Sequence, residues 1–235
     1  NNLETDFLVT NIKENSFFVN TWQGEGTPFY TNLSEYTNIY DTDWAWGAIF
    51  TDFDHDGFED LFIANGFFSD EKNRYFINVQ SPTGPKFVND LLTDEPISPT
   101  NSRSVNSLDY DNDGDLDLLI TNMNSSLDFY ENKSIDTYFT NEVSGSWLKI
   151  HLEGTTSNRD GLGAVIHILD NNELEQSRLY NGSGYQHQSL QAIHFGLDDA
   201  TLVNTISVVW PNTGLEVYNN INVNSTIKIV EGSGV

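Results

Sequence analysis

Two short acidic segments carry the clearest chemistry in this chain. Both follow the pattern D-x-D-x-D-G-x-x-D, and they start 57 residues apart, at Asp52 and Asp109. At least four carboxylates within nine residues repel one another strongly unless a cation lies among them. Calcium prefers six to eight oxygen ligands at about 2.3–2.6 Å in a flexible geometry. The sequence therefore predicts two Ca²⁺ sites.

The position of each residue in these segments predicts its role. Carboxylates at positions one, three, five and nine are the expected side-chain ligands, and position seven offers its backbone carbonyl. Glycine at position six permits the sharp turn, because it has no Cβ to clash at positive φ. The predicted ligands are Asp52, Asp54, Asp56, Phe58 and Asp60 in the first loop, and Asp109, Asp111, Asp113, Asp115 and Asp117 in the second.

Other metal sites fit this pattern less well. Magnesium requires a tight octahedron, and zinc prefers Cys or His ligands, whereas this chain has no Cys. An EF-hand loop ends with Glu at position twelve between helices, but here Ile63 and Ile120 stand there. A solvated acidic turn remains the alternative, and the repetition of the same glycine and closing Asp disfavours it.

The segments around the loops predict β-strands arranged in repeats. Short apolar runs follow each loop directly, which is typical of buried strands. Aromatic-rich segments end at Asn20, Asn78 and Asn132, which are 58 and 54 residues apart. Such a period favours a β-propeller with four-stranded blades. Two to three blades are too few for a closed ring, so we expect further blades from a longer parent chain or a partner chain.

The pattern changes near residue 145. We expect a partial propeller over residues 1–145 and a small all-β domain, a sandwich or barrel, over residues 146–235. The strands predicted in this second domain are Trp147–Leu152, Ala164–Leu169, Glu175–Tyr180, Ser189–Phe195, Ile206–Trp210 and Thr226–Val230.

Composition limits the partners and the location. With 35 acidic and 10 basic residues, the formal charge is −25, which disfavours nucleic acid and anionic membrane surfaces. No apolar run approaches the roughly 20 residues of a membrane helix, so no membrane insertion is expected. Weak calcium sites fill where calcium is abundant, which favours a secreted, periplasmic or cell-surface protein.

The residues also resemble known families. The two loops resemble the FG-GAP or VCBS repeats of integrin-α-like propellers, and Trp46-Gly47-x-x-Phe50-x-Asp52 is similar to cartilage acidic protein relatives. The second domain resembles the ASPIC/UnbV domain. The matching blocks are residues 157–164, Gly184-Tyr185, 194–197 and Val209-Trp210-Pro211 with Gly214. The resemblance implies a seven-bladed calcium-binding propeller followed by a small β domain, usually secreted or at the cell surface, and no settled activity.

Several residues outside the loops are candidates for ligand contact. Trp44 and Phe68 are candidate platform residues for a sugar or peptide, although blade packing uses the same side chains. Arg159 is a candidate for binding a carboxylate, although an internal pair with Asp160 is the favoured reading. We expect His55, at position four of the first loop, to be solvated.

No catalytic residues are predicted. A nucleophile elbow requires G-x-S-x-G, which is absent, and the acids cluster where the metal needs them. His194 is expected to be a hydrogen-bonded structural residue. The sequence thus predicts a calcium-stabilised extracellular interaction module for protein or glycan ligands. The alternatives are an enzyme or biosynthetic accessory protein with a propeller pocket, and a structural subunit of a cell-surface assembly.

Overall fold

A computed structural model describes residues 6–20, 29–67, 71–81, 84–89, 101–132, 145–189 and 192–234. Every helix or strand in these ranges is a β-strand, which confirms the all-β prediction. Within the same ranges, nothing forms a helix long and apolar enough to cross a membrane.

The N-terminal part forms three antiparallel sheets. Their strand orders are β1-β3-β4, β2-β5-β6-β7-β8 and β11-β10-β9. Apart from β2, which pairs with β5, these sheets follow one another along the chain, as expected for part of a β-propeller. The described sheets have three, five and three strands, whereas blades of four strands were predicted. The strands are β1 (Phe7–Val9), β2 (Ile12–Glu14), β3 (Ser16–Asn20), β4 (Tyr30–Asn32), β5 (Asp41–Thr51), β6 (Asp60–Asn65), β7 (Arg74–Ser81), β8 (Gly84–Asn89), β9 (Ser102–Leu108), β10 (Asp117–Asn122) and β11 (Asp128–Tyr130).

Strand β6 shows how the sheets stack. All of its residues are buried, as the apolar run predicted. Successive side chains of a strand point to opposite faces. Leu61 and Ile63 accordingly join a core shared with β3 and β8, while Phe62 and Ala64 join a core shared with β9 and β10. The middle sheet is therefore packed on both sides, which explains why β6 has no polar face.

One hydrogen bond recurs in all three sheets. The backbone N–H groups of Asn78 and Asn132 donate to Oδ1 of Asp60 at 2.9 Å and Asp117 at 2.8 Å. The N–H of Asn20 donates in the same way to Oδ1 of Asp6 at 2.8 Å. Asp6 therefore corresponds to the ninth loop position, a relationship that sequence analysis missed. The sequence signal of this correspondence is the apolar run that directly follows Asp6, Asp60 and Asp117.

The C-terminal part is a two-sheet sandwich with a small hairpin. One sheet has the order β17-β12-β20, with β12 and β20 parallel, and the other has the antiparallel order β14-β13-β18-β19. The strands are β12 (Trp147–Glu153), β13 (Val165–Asp170), β14 (Glu175–Leu179), β15 (Ser183–Gly184), β16 (His187–Gln188), β17 (Ile193–Gly196), β18 (Leu202–Trp210), β19 (Gly214–Asn222) and β20 (Ser225–Val230).

A single apolar core holds the two sheets of the sandwich together. Ile150 from β12 and Ile229 from β20 pack in the same cluster as Ile166 from β13 and Trp210 from β18. Every predicted strand of this part has a counterpart, but the two-residue strands β15 and β16 and the longer strand β19 were missed. The residues of β19 are partly or fully exposed, so β19 lacks the apolar signal that marks a buried strand.

Glu231 ties the end of the sandwich to the loop after β12. Although only 3% exposed, its carboxylate accepts hydrogen bonds from five donors. These are the backbone N–H groups of Thr155, Thr156 and Ser157 and the hydroxyls of Ser157 and Thr213. Burial opposes ionisation of Glu231, but these donors outweigh it, so its pKa lies below the ordinary value.

Replacing Glu231 with Gln will lower the melting temperature at pH 7, and the difference will shrink as the pH falls. Because the folded pKa is depressed, the stability that Glu231 contributes is present above about pH 4.3 and is lost below it. Calorimetric scans of both proteins between pH 7 and pH 3 test this. Glu173→Gln, at an exposed position, is the control. A difference that stays constant with pH would contradict the prediction.

Candidate metal centre

The two acidic segments form turns between antiparallel strands. The first loop (residues 52–60) joins β5 to β6, and the second loop (residues 109–117) joins β9 to β10. Within each loop, three carboxylates offer oxygens that lie within 4.8 Å of one another. The groups are Asp52, Asp54 and Asp56, and Asp109, Asp111 and Asp117.

Both loops curl through the same backbone conformations. Position four is left-handed, with φ of 62° at His55 and 64° at Asn112. The glycines at position six have φ of 90° at Gly57 and 110° at Gly114. This conformation is costly for a residue with a Cβ, so glycine is required where the loop also approaches other atoms closely.

Short-range hydrogen bonds shape the turns further. The N–H groups of Asp56 and Phe58 donate to Oδ1 of the residues two positions before them, at 3.2 and 2.8 Å. In the second loop, the N–H of Asp115 donates to Oδ1 of Asp113 at 3.1 Å. The predicted ligands at position seven, Phe58 and Asp115, thus lie in matching turns, and ligation by their carbonyls stays a prediction.

The hydrogen bonds of the aspartate at position one indicate whether a cation fits in each loop. Oδ2 of Asp52 accepts the N–H of Gly57 at 2.9 Å, and Oδ2 of Asp109 accepts the N–H of Gly114 at 3.1 Å. In both residues, Oδ1 is buried and has no hydrogen-bond partner. A buried carboxylate oxygen without a partner is costly. A hard cation bound at each loop would satisfy it, so the donor set fits calcium.

The aspartate at position nine joins neighbouring segments. Besides the N–H of Asn78, Asp60 accepts the N–H of Phe53 at 3.1 Å and the hydroxyl of Tyr75 at 3.2 Å, both through Oδ2. Oδ2 of Asp117 accepts the N–H of Tyr110 at 3.0 Å. These residues therefore hold the loop to the blade. A direct bond from Asp60 to a metal stays a prediction, as does one from Asp113.

Burial and mutual repulsion raise the pKa values of the first loop's carboxyls. Burial is the largest cause throughout, and it raises the pKa of Asp56 to about 7 and that of Asp60 to about 8. The pKa values of Asp52 and Asp54 are raised in the same direction. Ionising all four carboxyls is therefore unfavourable without a nearby positive charge. A divalent cation supplies that charge.

The C-terminal sandwich covers the outside of both loops. Nε2 of His194 donates to the carbonyl oxygen of Gly114 at 2.9 Å, so this residue is hydrogen-bonded as predicted. The N–H of Asp198 donates to the carbonyl oxygen of His55 at 2.7 Å. A Cβ at Gly196 would lie 2.0 Å from Oδ2 of Asp52. The motif around His194 and Gly196 therefore contacts the two loops at once.

The prediction that His55 is solvated is wrong. His55 is 1% exposed, and its ring lies 5.1 Å from that of His194. Its Nδ1 donates to the carbonyl oxygen of Gly145 at 3.2 Å. The side chain at position four does point out of the loop, but it points into the interface between the loop and the sandwich. Burial lowers the pKa of His55 and lowers that of His194 to about 3, which favours the neutral form of both rings.

Of the residues predicted to contact a ligand, the structure describes Trp44 and Arg159. Trp44 is half-buried and stacks on Phe67 at 4.2 Å and on Trp46 at 6.1 Å between ring centroids. Arg159 is exposed, and its carbonyl oxygen accepts the N–H of Gly154. Phe68 lies outside the described residues. Ligand contact by these three residues stays a prediction.

Comparison with known families matches one segment in each part of the chain. Residues 52–120 match an FG-GAP-like repeat, and residues 154–235 match the ASPIC and UnbV family. The chain joins an FG-GAP-like repeat to an ASPIC/UnbV domain. No curated protein matches it. The narrower resemblance to cartilage acidic proteins and the division at residue 145 stay predictions.

The FG-GAP match spans both acidic loops, and the ASPIC/UnbV match includes His194 and Gly196. Two residues at the interface between the loops and the sandwich, Trp147 and Lys149, lie between the two matched segments. A Cβ at Gly114 would lie 2.0 Å from Nε1 of Trp147, and the ammonium of Lys149 contacts Oδ2 of Asp109. Sequence analysis missed Lys149, because a lysine in a strand 40 residues from its partner has no local signal.

Proposed function

We propose that this chain is a calcium-binding interaction module of the FG-GAP type, with one Ca²⁺ in each loop. One observation carries the proposal. Each loop places three carboxylates together and leaves one buried oxygen of its first aspartate without a partner. The repetition of this arrangement in two loops with matching φ values supports a cation site over a solvated turn.

The proposed role of calcium is structural. Each loop connects two neighbouring strands, and its ninth residue accepts backbone N–H groups from two further segments. A bound ion neutralises the acids at the centre of this arrangement and holds the strand ends together. The described residues show no arrangement of base and nucleophile around the loops, so we propose no catalytic step there.

Replacing Asp54 with Ala tests the first site. We expect the variant to lose one high-occupancy calcium ion and to keep the other, because the two loops lie in different sheets. Calorimetric titration with calcium gives the stoichiometry, and magnesium titration is the comparison. Asp43→Ala is a matched control, since Asp43 lies in β5 outside the loop. Loss of both ions in Asp54→Ala would contradict independent sites.

The proposed partner is a protein or a glycan, and the proposed location is secreted, periplasmic or at the cell surface. FG-GAP-like repeats suggest an extracellular interaction module, and the acidic surface disfavours nucleic acid. Further blades from a longer parent chain or a partner would extend the surface. Glycan arrays and protein pull-downs, run with calcium and with chelator, test this. Ligands that bind equally in both conditions would count against it.

A small-molecule role is the second candidate function. A cleft of about 810 Å³ lies between the FG-GAP part and the sandwich. Phe50 and Phe87 line one side, and Arg178 and His187 line the other. Its lining mixes polar and apolar side chains, so a ligand there would need both hydrogen-bonding and apolar groups. A fragment screen by NMR, with shifts mapped on the calcium-loaded protein, tests for binding in this cleft.

A further inference from the structure

The first aspartate makes the same hydrogen bond in both loops, and the loops differ in one further contact of this residue. In each loop, Oδ2 of that aspartate accepts the N–H of the glycine at position six, and Oδ1 is buried without a partner. Asp52 and Asp109 therefore each direct one oxygen to their glycine and leave the other for a cation. The loops differ in what the sandwich places against Oδ2.

Lys149 is the difference. Its ammonium contacts Oδ2 of Asp109, and it lies 4.8 Å from the centre of the Trp147 ring. The side chains of Lys149 and Asp109 are only 8% and 4% exposed, so water screens this pair little. At the first loop the same place is taken by Gly196, which brings backbone and no charge to Oδ2 of Asp52.

Arg178, a basic residue beside the first loop, makes a different contact from that of Lys149. Arg178 lies on β14 of the sandwich, and its guanidinium pairs with Glu59 at 3.0 Å. It also stacks over Phe195 at 5.4 Å and donates to Gln176 at 3.2 Å. Its charge is therefore shared with a carboxylate that is not a predicted ligand, whereas the charge of Lys149 falls on a ligand itself.

A positive charge on a ligand carboxylate opposes binding of a second positive ion. Even at the dielectric constant of bulk water, about 80, a unit charge about 6 Å from a divalent ion changes the binding constant about tenfold. The buried environment of Lys149 makes the effect larger, because solvent and salt screen it less. The second loop therefore begins with the larger cation penalty, because Lys149 contacts a ligand directly, whereas Arg178 acts on Asp52 without an ion pair.

We propose that Lys149 makes the two loops unequal, so that the docked C-terminal sandwich lowers the calcium affinity of the second loop relative to the first. This inference rests on the proposed function, since it requires calcium binding at both loops. Lys149 lies between the two family-matched segments, at residue 149. In this proposal Lys149 sets the calcium affinity of the second loop without itself being a calcium ligand.

Calorimetric titration of calcium into the wild type, Lys149→Met and Lys228→Met tests the proposal. Lys228 is the matched control, because it is also a strand lysine of the sandwich but pairs with Glu153 on the surface. We expect the wild type and Lys228→Met to bind two ions with constants at least about tenfold apart. Lys149→Met will raise the weaker constant about tenfold or more and leave the tighter one unchanged.

A second variant identifies the weaker site without changing Lys149. Asp111→Ala, in the second loop, will abolish the weaker class and keep the tighter one. Loss of the tighter class instead overturns the proposal, as does an unchanged or lowered weaker constant in Lys149→Met. If wild-type protein binds no calcium, the proposed function itself fails. If it binds two ions with constants that Lys149→Met does not alter, only the role of Lys149 fails.

Discussion

Chelation of divalent cations will lower the melting temperature of this protein by about 10–20 °C. A ligand at about 100 times its dissociation constant stabilises the folded state by about 2.7 kcal/mol per site, so two sites contribute about 5 kcal/mol. For a chain of this size, 1 kcal/mol shifts the melting temperature by about 2–4 °C. The physical cause is the repulsion and burial of the loop carboxyls, which calcium relieves.

Differential scanning calorimetry of chelated protein, with calcium or magnesium then added back, measures this effect. Calcium should restore the melting temperature, and magnesium should restore less of it, because magnesium sheds water reluctantly. The Asp54→Ala variant, which lacks the first site, should respond less than half as strongly, because the second loop is proposed to bind calcium more weakly. Equal melting temperatures with and without chelator would show that the loops hold no stabilising cation.

Replacing Gly114 with Ala will destabilise the protein by about 3 kcal/mol. The residue has φ of 110°, which costs a residue with a Cβ about 1–2 kcal/mol. The added Cβ would also lie 2.0 Å from Nε1 of Trp147, and relieving such overpacking costs about 1–3 kcal/mol. Urea unfolding in excess calcium measures the change in the free energy of unfolding.

Gly214 provides the control for this substitution. Its φ is 91°, but a Cβ there would meet nothing within 4 Å. Gly214→Ala therefore reports the backbone strain alone, about 1–2 kcal/mol, and the difference between the variants reports the contact with Trp147. Gly114→Ala should also weaken calcium binding at the second loop. Equal losses of stability in the two variants would show that Trp147 of the sandwich does not restrict the space around Gly114.

Much of the local structure was predictable because it depends on residues near one another in sequence. The apolar run Leu61-Phe62-Ile63 predicted a buried strand, and β6 is buried throughout. Alternation along the strand, however, only divides its residues between two faces. Which sheet meets each face depends on contacts with β3, β8, β9 and β10, and no spacing within β6 encodes those contacts.

Predictions about exposure failed where the two parts of the chain meet. His55 was expected in solvent because position four points away from the ligands. It does so, but Gly145 and Asp198 contact it. The exposed strand β19 was missed for the opposite reason, since its pairing with β18 provides stability without an apolar pattern.

The sequence by itself determined the two loops, because ligand type, glycine and closing aspartate act over nine residues and leave a readable pattern. It also determined the strands that flank them. Only the tertiary structure decided that the ASPIC/UnbV domain rests on both loops, that Lys149 contacts Asp109, and that five donors surround Glu231. These contacts join residues from 18 positions apart, at Thr213 and Glu231, to 143 positions apart, at His55 and Asp198. At such separations the partner is selected by the folded chain and not by local spacing.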